Sequence, residues 1–132
     1  MYIIMIGFQK ININPKGKKT GDCVVRALAV AMGREYYDVY AELYQISVET
    51  GFIVSDKRVE ERFMARHGFI KHKQPRKSNG KKYLVAELDL VTSERVVVVS
   101  CAHHLTVAVD GVLIDSWDPR GKCIGNFYTL AR

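Results

Sequence analysis

The sequence predicts an α+β fold, with helices in the first half of the chain and an antiparallel sheet in the second. Between Cys23 and Gly68, apolar residues recur at spacings of three and four, which is typical of helices with one buried face. Beyond Phe69 the apolar residues occur in short, often β-branched runs, which favours strands. Because helices and strands are segregated along the chain, we expect the helices to pack on the sheet around a central, cysteine-bearing helix.

Length and composition predict a single domain, 1–132. The chain has 132 residues, 48% of them apolar, which suits one buried core and is short for two ordinary domains. No window approaches the roughly 18 uninterrupted apolar residues of a membrane span, so we expect no membrane association. The opening segment, Met1–Asn14, alternates large apolar and polar residues without a basic leader, which predicts a strand and no signal peptide.

The number and spacing of the cysteines predict free thiols rather than disulfide bonds. Cys23, Cys101 and Cys123 cannot all pair within one chain, and their spacing matches neither a disulfide framework nor a zinc motif. We expect Cys101 and Cys123 to be buried strand residues. His67 and His72 lack the spacing of metal ligands. These features favour a reducing, cytoplasmic location and a protein that needs neither a metal nor an organic cofactor.

Each predicted helix has identifiable boundaries. The first, Cys23–Met32, is apolar almost all round apart from Arg26, and Gly33 is suited to a left-handed cap at its end. The second has an apolar face rich in tyrosine and ends before a glycine, and the third begins at a serine N-cap and stops at a glycine. The residues concerned are Tyr36, Tyr37, Val39, Tyr40, Leu43, Tyr44, Ile46 and Gly51 in the second helix, and Ser55, Val59, Phe63, Met64 and Gly68 in the third.

The second half predicts short strands and one hairpin. Strands are expected at residues 83–86, 95–100 and, roughly, 124–130, with the hairpin at His104–Asp115. The Asp110-Gly111 pair favours a two-residue turn, because both central positions of that turn need positive φ. If Val109 faces Val112, the register places Thr106 opposite Asp115 and His104 opposite Trp117.

Cys23 is the first candidate for chemistry. It lies where a loop becomes a helix, with Thr20 or Asp22 as the cap, and unpaired amides at a helix start favour a thiolate, which is the nucleophilic form. The alternative is that Cys23 is simply a small apolar residue in a buried helix.

His104 and Asp115 supply the rest of a candidate triad. The hairpin register places both on one sheet face as diagonal neighbours, close enough for the carboxylate to accept a hydrogen bond from the imidazole. His103 and Asp118 fall on the other face and are weaker candidates. A histidine held by a carboxylate is what a cysteine nucleophile needs for proton transfer, so Cys23, His104 and Asp115 together predict a catalytic site.

These residues resemble a known family. The segment Gly21–Leu28, opening a helix at Gly-Asp-Cys, the strand led by His104, and Asp115–Trp117 with the sequence Asp-Ser-Trp look like the papain-like cysteine peptidase plan. The chain is more closely similar to small papain-fold proteins encoded by bacteria and their phages. The resemblance implies a papain-like fold and a cytoplasmic thiol hydrolase, in a bacterium or a phage-infected host, that cleaves peptide or isopeptide bonds. Acyl transfer and deamidation by the same thioester route stay open.

The oxyanion-binding group departs from that family. Papain-like enzymes place a glutamine upstream of the cysteine, and Gly17 stands at this position here. Asn12, Asn14 or Thr20 are the candidate substitutes, together with the Cys23 amide. Losing one such donor costs on the order of 100-fold or more in rate, so a catalytically inactive papain-like binding module is the alternative function.

Charge and aromatic residues bear on partners. The net charge is +6, and one polar stretch, Lys71–Lys82, is strongly basic, as is the loop before Cys23. The stretch is expected either to be a solvated loop or to line the cleft and favour acidic substrates. In a binding module, the basic surface would bind nucleic acid or a host protein. The basic residues are Lys71, Lys73, Arg76, Lys77, Lys81 and Lys82 in the stretch, and Lys16, Lys18 and Lys19 in the loop.

Two aromatic features have competing interpretations. The tyrosines of the second helix recur at helical spacing, which favours packing over a platform for stacking bases. Trp117 is expected either to shelter the bond between His104 and Asp115 or to be an ordinary half-buried strand residue. The sequence leaves the oligomeric state open.

Overall fold

A computed structural model describes residues 5–130 of the chain and shows an α+β fold. The helices are α1 (Cys23–Met32), α2 (Tyr36–Thr50) and α3 (Lys57–Arg66), followed by a 3-10 helix at Val85–Leu90. The strands are β1 (Gly7–Lys10), β2 (Ile70–His72), β3 (Val96–Cys101), β4 (His104–Val109), β5 (Val112–Asp115) and β6 (Phe127–Thr129). The predicted α+β class is therefore confirmed. Within the described residues, every helix is too short or too polar to cross a membrane.

The helix boundaries follow from local capping. Gly33 adopts φ 62° after α1 and donates its N–H to carbonyls of the last turn, and Gly51 adopts φ 79° after α2, as predicted. The predicted N-cap of α3 is wrong by one residue. Asp56, not Ser55, is the cap, because its carboxylate accepts the Arg58 amide at 2.9 Å.

The sheet is mixed rather than antiparallel, which corrects the prediction. Its strand order is β1-β5-β4-β3-β6-β2, and β1 runs parallel to β5. The parallel pair forms because the hairpin leaves one edge of β5 open, and β1 fills it with bonds from Gly7 N to Gly111 O and from Ile11 N to Asp115 O. The first four residues of the predicted N-terminal strand lie outside the described residues.

Three further strand predictions need correction. The sequence pattern does not predict β2, which pairs antiparallel with β6. Residues 83–86 do not form a strand, because the Glu87 carboxylate accepts the Leu84 amide and starts the 3-10 helix there. The closing strand is limited to Phe127–Thr129, so Cys123 lies before it and is exposed rather than buried.

Two apolar clusters cover the two sides of the sheet. One joins the helices to the sheet through fully buried residues such as Leu28, Val98 and Val107. On the other side of the sheet, strand side chains that include Leu113 pack against the 3-10 helix. The start of α1 is thereby packed against the beginning of β4, where the predicted site residues lie.

Candidate functional site

The fold brings the three predicted triad residues to one place. Cys23 is the first residue of α1, His104 the first residue of β4, and Asp115 the last residue of β5. The predicted hairpin register is confirmed, since Val109 pairs with Val112. Cys23 and His104 line a cavity of about 1040 Å³ that opens beside the start of α1.

His104 and Asp115 form a buried pair. The His104 Nε2 atom lies 2.7 Å from Asp115 Oδ2, and the two side chains are only 8% and 2% exposed. Because Nε2 contacts the carboxylate, Nδ1 is the ring nitrogen left for Cys23. The Trp117 ring lies 4.6 Å from the His104 ring, centroid to centroid, and is itself 39% exposed. Trp117 therefore packs against the imidazole, and its sheltering role stays a prediction.

The pKa values of Cys23 and His104 are shifted toward each other. Burial raises the pKa of Cys23, but the neighbouring His104 imidazole, the Leu105 backbone and the charge of Arg26 lower it overall. Burial lowers the pKa of His104, but its hydrogen bond with Asp115 and the nearby Cys23 thiol raise it to about 9. Opposite shifts in two neighbouring groups favour the thiolate–imidazolium pair over the neutral pair.

Arg26 connects Asp115 to the helix that carries the cysteine. Its Nε atom lies 2.8 Å from Asp22 Oδ1, and its Nη1 atom lies 2.9 Å from Asp115 Oδ1. The Ser116 amide donates to the same Asp115 oxygen at 2.7 Å. Burial raises the pKa of Asp115, but its hydrogen bonds with His104 and Arg26 hold that pKa below its usual value. Asp115 is therefore ionised and has one oxygen for Arg26 and the other for His104.

Asp22 precedes α1 but does not cap it with its side chain. It occupies the N-cap position, yet its carboxylate contacts Arg26, accepts from Tyr36 Oη at 2.8 Å and accepts from Asn14 Nδ2 at 3.0 Å. The first amides of α1 consequently receive no side-chain cap. Within residues 5–130 the Cys23 amide has no hydrogen-bond acceptor, so it is available to an incoming oxyanion.

The other predicted oxyanion donors differ in availability. Asn14 holds the loop before α1, since its Nδ2 is bonded to Asp22 and its Oδ1 accepts from the Lys16 amide. Asn12 is likewise bonded to backbone, through Lys18 O. Thr20 is exposed and lines the cavity. The geometry thus favours the Cys23 amide and Thr20 over the two asparagines.

Sequence reasoning missed the roles of Arg26, Asp22 and Tyr36 in this network. The available signal was a lone arginine in an otherwise apolar helix, because a buried cation requires a partner. Asp22 stands four residues before Arg26, which is the spacing of a helical ion pair. The Tyr36 contact joins distant parts of the chain and leaves no comparable pattern.

The basic stretch does not lie at the site, which corrects the expectation that it lines the cleft. None of residues 71–82 contributes to the cavity, and Lys71 and Lys77 are paired with Glu61 and Glu87. Lysines of the loop before α1 line it instead, together with Lys57. No cluster of candidate metal ligands occurs among the residues that the structure describes.

The other cysteine, histidine and aspartate candidates lie outside the triad. Cys101 is buried in β3, and burial raises its pKa to about 11, which makes it a poor nucleophile beside Cys23. His103 is exposed, with φ 56°, and lines the cavity without joining the pair. Asp118 is paired with Arg120.

The tyrosines of α2 divide into one core residue and three exposed ones. Tyr36 is buried, whereas Tyr37, Tyr40 and Tyr44 are 47%, 38% and 44% exposed. The rings of Tyr40 and Tyr44 are tilted by 38° to each other, with their centroids 4.9 Å apart. Tyr37 and Tyr40 border the cavity.

Replacing Arg26 tests its role in this network. We expect Arg26→Met to lower the free energy of unfolding by about 3–5 kcal/mol, because it leaves the Asp22 and Asp115 carboxylates buried without a cation. Arg26→Lys is the matched control: it keeps the charge but loses the planar fork that reaches both carboxylates, so its loss is expected to be smaller. Urea unfolding measures both variants, and a loss below about 1 kcal/mol in Arg26→Met would contradict this role.

Comparison with known proteins supplies no relative. Protein-family models, curated proteins and solved structures were compared with the chain, and none of the three comparisons found a match. Functional inference therefore depends on the residues and their geometry.

Proposed function

We propose that the protein is a thiol hydrolase in which Cys23 is the nucleophile, His104 the proton-transfer group and Asp115 the residue that orients His104. The observation that carries this proposal is that Cys23 and His104 line one cavity while His104 is bonded to the buried Asp115, with the pKa of Cys23 lowered and that of His104 raised. A structural cysteine at a helix start has no need of a histidine that is itself bonded to a buried carboxylate.

The proposed reaction has two steps. The Cys23 thiolate attacks an acyl carbon, and the oxyanion that forms is met by the free Cys23 amide. As the intermediate collapses to a thioester, the His104 imidazolium gives its proton to the leaving group. His104, now neutral, takes a proton from water, which attacks the thioester, releases the acid and restores the thiolate. Asp115 stabilises the imidazolium without being protonated itself.

The class of bond that we propose is cleaved is the peptide or isopeptide bond. The resemblance to papain-like enzymes supports peptide or isopeptide hydrolysis, and transfer to an amine or deamidation requires only a different acceptor or a different leaving group. The free thiols of Cys23, Cys101 and Cys123 support the proposed cytoplasmic setting. The papain-like relationship is part of this proposal.

An activated acyl ester tests the chemistry without a known substrate. With p-nitrophenyl acetate, we expect release of p-nitrophenolate and acetylation of Cys23, because the thiolate displaces the phenolate at neutral pH. Cys23→Ser is expected to abolish the reaction, and Cys123→Ser, which changes an exposed thiol outside the cavity, is expected to leave it unchanged. Absorbance measures the release and peptide mass spectrometry locates the acetyl group.

His104 is tested in the same assay. We expect His104→Ala to slow turnover on the order of 100-fold or more, because it removes the imidazolium that lowers the pKa of Cys23 and the base that activates water. Acetylation of Cys23 and Cys123 at the same rate, unaffected by His104→Ala, would contradict a catalytic role for this site.

A binding module is the second candidate function. The observation that favours it is the exposure of Tyr37, Tyr40 and Tyr44 on α2. Tyr37 and Tyr40 line the same cavity as four lysines, and aromatic side chains near cations suit single-stranded nucleic acid. Binding of a fluorescent single-stranded oligonucleotide is then expected to weaken steeply as salt rises, through release of counterions, and to survive Cys23→Ser. Absent or salt-independent binding would exclude this version of the module.

A further inference from the structure

We infer that the cleft beside Cys23 selects acyl substrates that carry negative charge, in the first place acidic peptide segments. This inference rests on the proposed thiol chemistry and adds the substrate class. It starts from four lysines that line the cavity, Lys16, Lys18, Lys19 and Lys57.

These lysines have their charges available. Among residues 5–130, none of the four lies within 4.0 Å of a carboxylate, whereas Lys71 and Lys77 of the basic stretch are both paired. All four side chains belong to exposed residues. An unpaired lysine at the edge of a cleft raises the local concentration of anions, and the effect is strongest at low ionic strength.

The loop that carries three of them is held in place. Asn14 Oδ1 accepts the amides of Lys16 and Lys18, at 2.9 and 3.4 Å, and Asn12 Nδ2 donates to the Lys18 carbonyl at 3.0 Å. Gly17, which lies between Lys16 and Lys18, adopts φ 63°, a backbone conformation that glycine accommodates without strain. Asn14 is also bonded to Asp22, the partner of Arg26. The backbone at Lys16 and Lys18 is therefore held next to the network that orients Asp115.

Negative charge on the cavity wall is weak by comparison. The acidic residues of the lining are Asp22 and Glu60. Asp22 forms a buried ion pair with Arg26, a cation that it shares with Asp115. Burial raises the pKa of Glu60 to about 7, so this carboxyl is partly protonated at neutral pH. The wall is therefore positive beside the nucleophile.

The chemistry of the nucleophile selects among anionic ligands. A thiolate that forms a thioester needs an acyl carbon, which nucleic acid does not offer and a polypeptide offers at every residue. Aspartate and glutamate side chains next to the reacting carbonyl would meet the loop lysines. An acidic peptide therefore satisfies both the charge of the wall and the reaction.

Two alkylating reagents of different charge test the inference directly. Iodoacetamide is neutral and iodoacetate is an anion, and both react as the thiolate forms a carbon–sulfur bond and iodide leaves. The rate ratio of iodoacetate to iodoacetamide at Cys23, divided by the same ratio for N-acetylcysteine, measures the preference for negative charge. We expect this quotient to be roughly three- to tenfold above one at low salt and to fall toward one in about 0.5 M NaCl.

A matched pair of variants assigns the preference to the loop. Lys16→Gln, Lys18→Gln and Lys19→Gln together are expected to reduce the quotient by about threefold or more, since they remove the nearby charges. Lys73→Gln, Lys81→Gln and Lys82→Gln together remove the same charge from residues that do not line the cavity, and are expected to change it by less than about 1.5-fold.

The outcomes separate this inference from the proposed function. A quotient near 1 in the native protein would overturn the inference, and so would a quotient that both triple variants reduce equally. Either result would do so even if Cys23 reacts rapidly with iodoacetamide and His104→Ala slows that reaction. An ordinary, His104-independent reaction of Cys23 with iodoacetamide would overturn the proposed function and the substrate class with it.

Discussion

The candidate site depends on one buried cation. Arg26 holds Asp22, the residue before its own helix, and Asp115 at the end of β5, so a single side chain joins the start of α1 to the hairpin. Two carboxylates buried near each other repel, and each would take up a proton if the guanidinium were absent. Because Arg26 keeps Asp115 ionised and in place, Asp115 can raise the pKa of His104, and His104 can lower that of Cys23.

Such a network defines the positions of the side chains more than it raises the free energy of unfolding. Buried ion pairs gain little net free energy after desolvation, whereas loss of one partner is costly. Here the partners come from the loop before α1, from α1, from α2 and from β5, through Asn14, Arg26, Tyr36 and Asp115. The position of the imidazole relative to the thiol is thereby determined by four segments of the chain. The same loop before α1 presents lysines at the cleft. This loop therefore contributes both to the orientation of the triad and to the positive charge of the cleft.

The sequence predicted the local features of this arrangement and missed the long-range ones. Gly33 and the Asp110-Gly111 turn mark α1 and the hairpin by backbone chemistry, and the hairpin register alone predicted the pairing of His104 with Asp115. The parallel β1–β5 pair and the short β2 form only where a sheet edge is available, which local patterns do not encode. The Tyr36 contact and the place of the basic stretch away from the cavity likewise depend on tertiary packing.

The titration of His104 tests the central claim most directly. Ring chemical shifts of the four histidines, followed by NMR across pH, are assigned with His104→Gln and compared between the native protein and Cys23→Ser. We expect His104 to remain protonated through neutral pH, with a pKa of about 9 that falls in Cys23→Ser because the thiolate is gone. A pKa near the ordinary value of about 6.5, equal in both proteins, would contradict a thiolate–imidazolium pair.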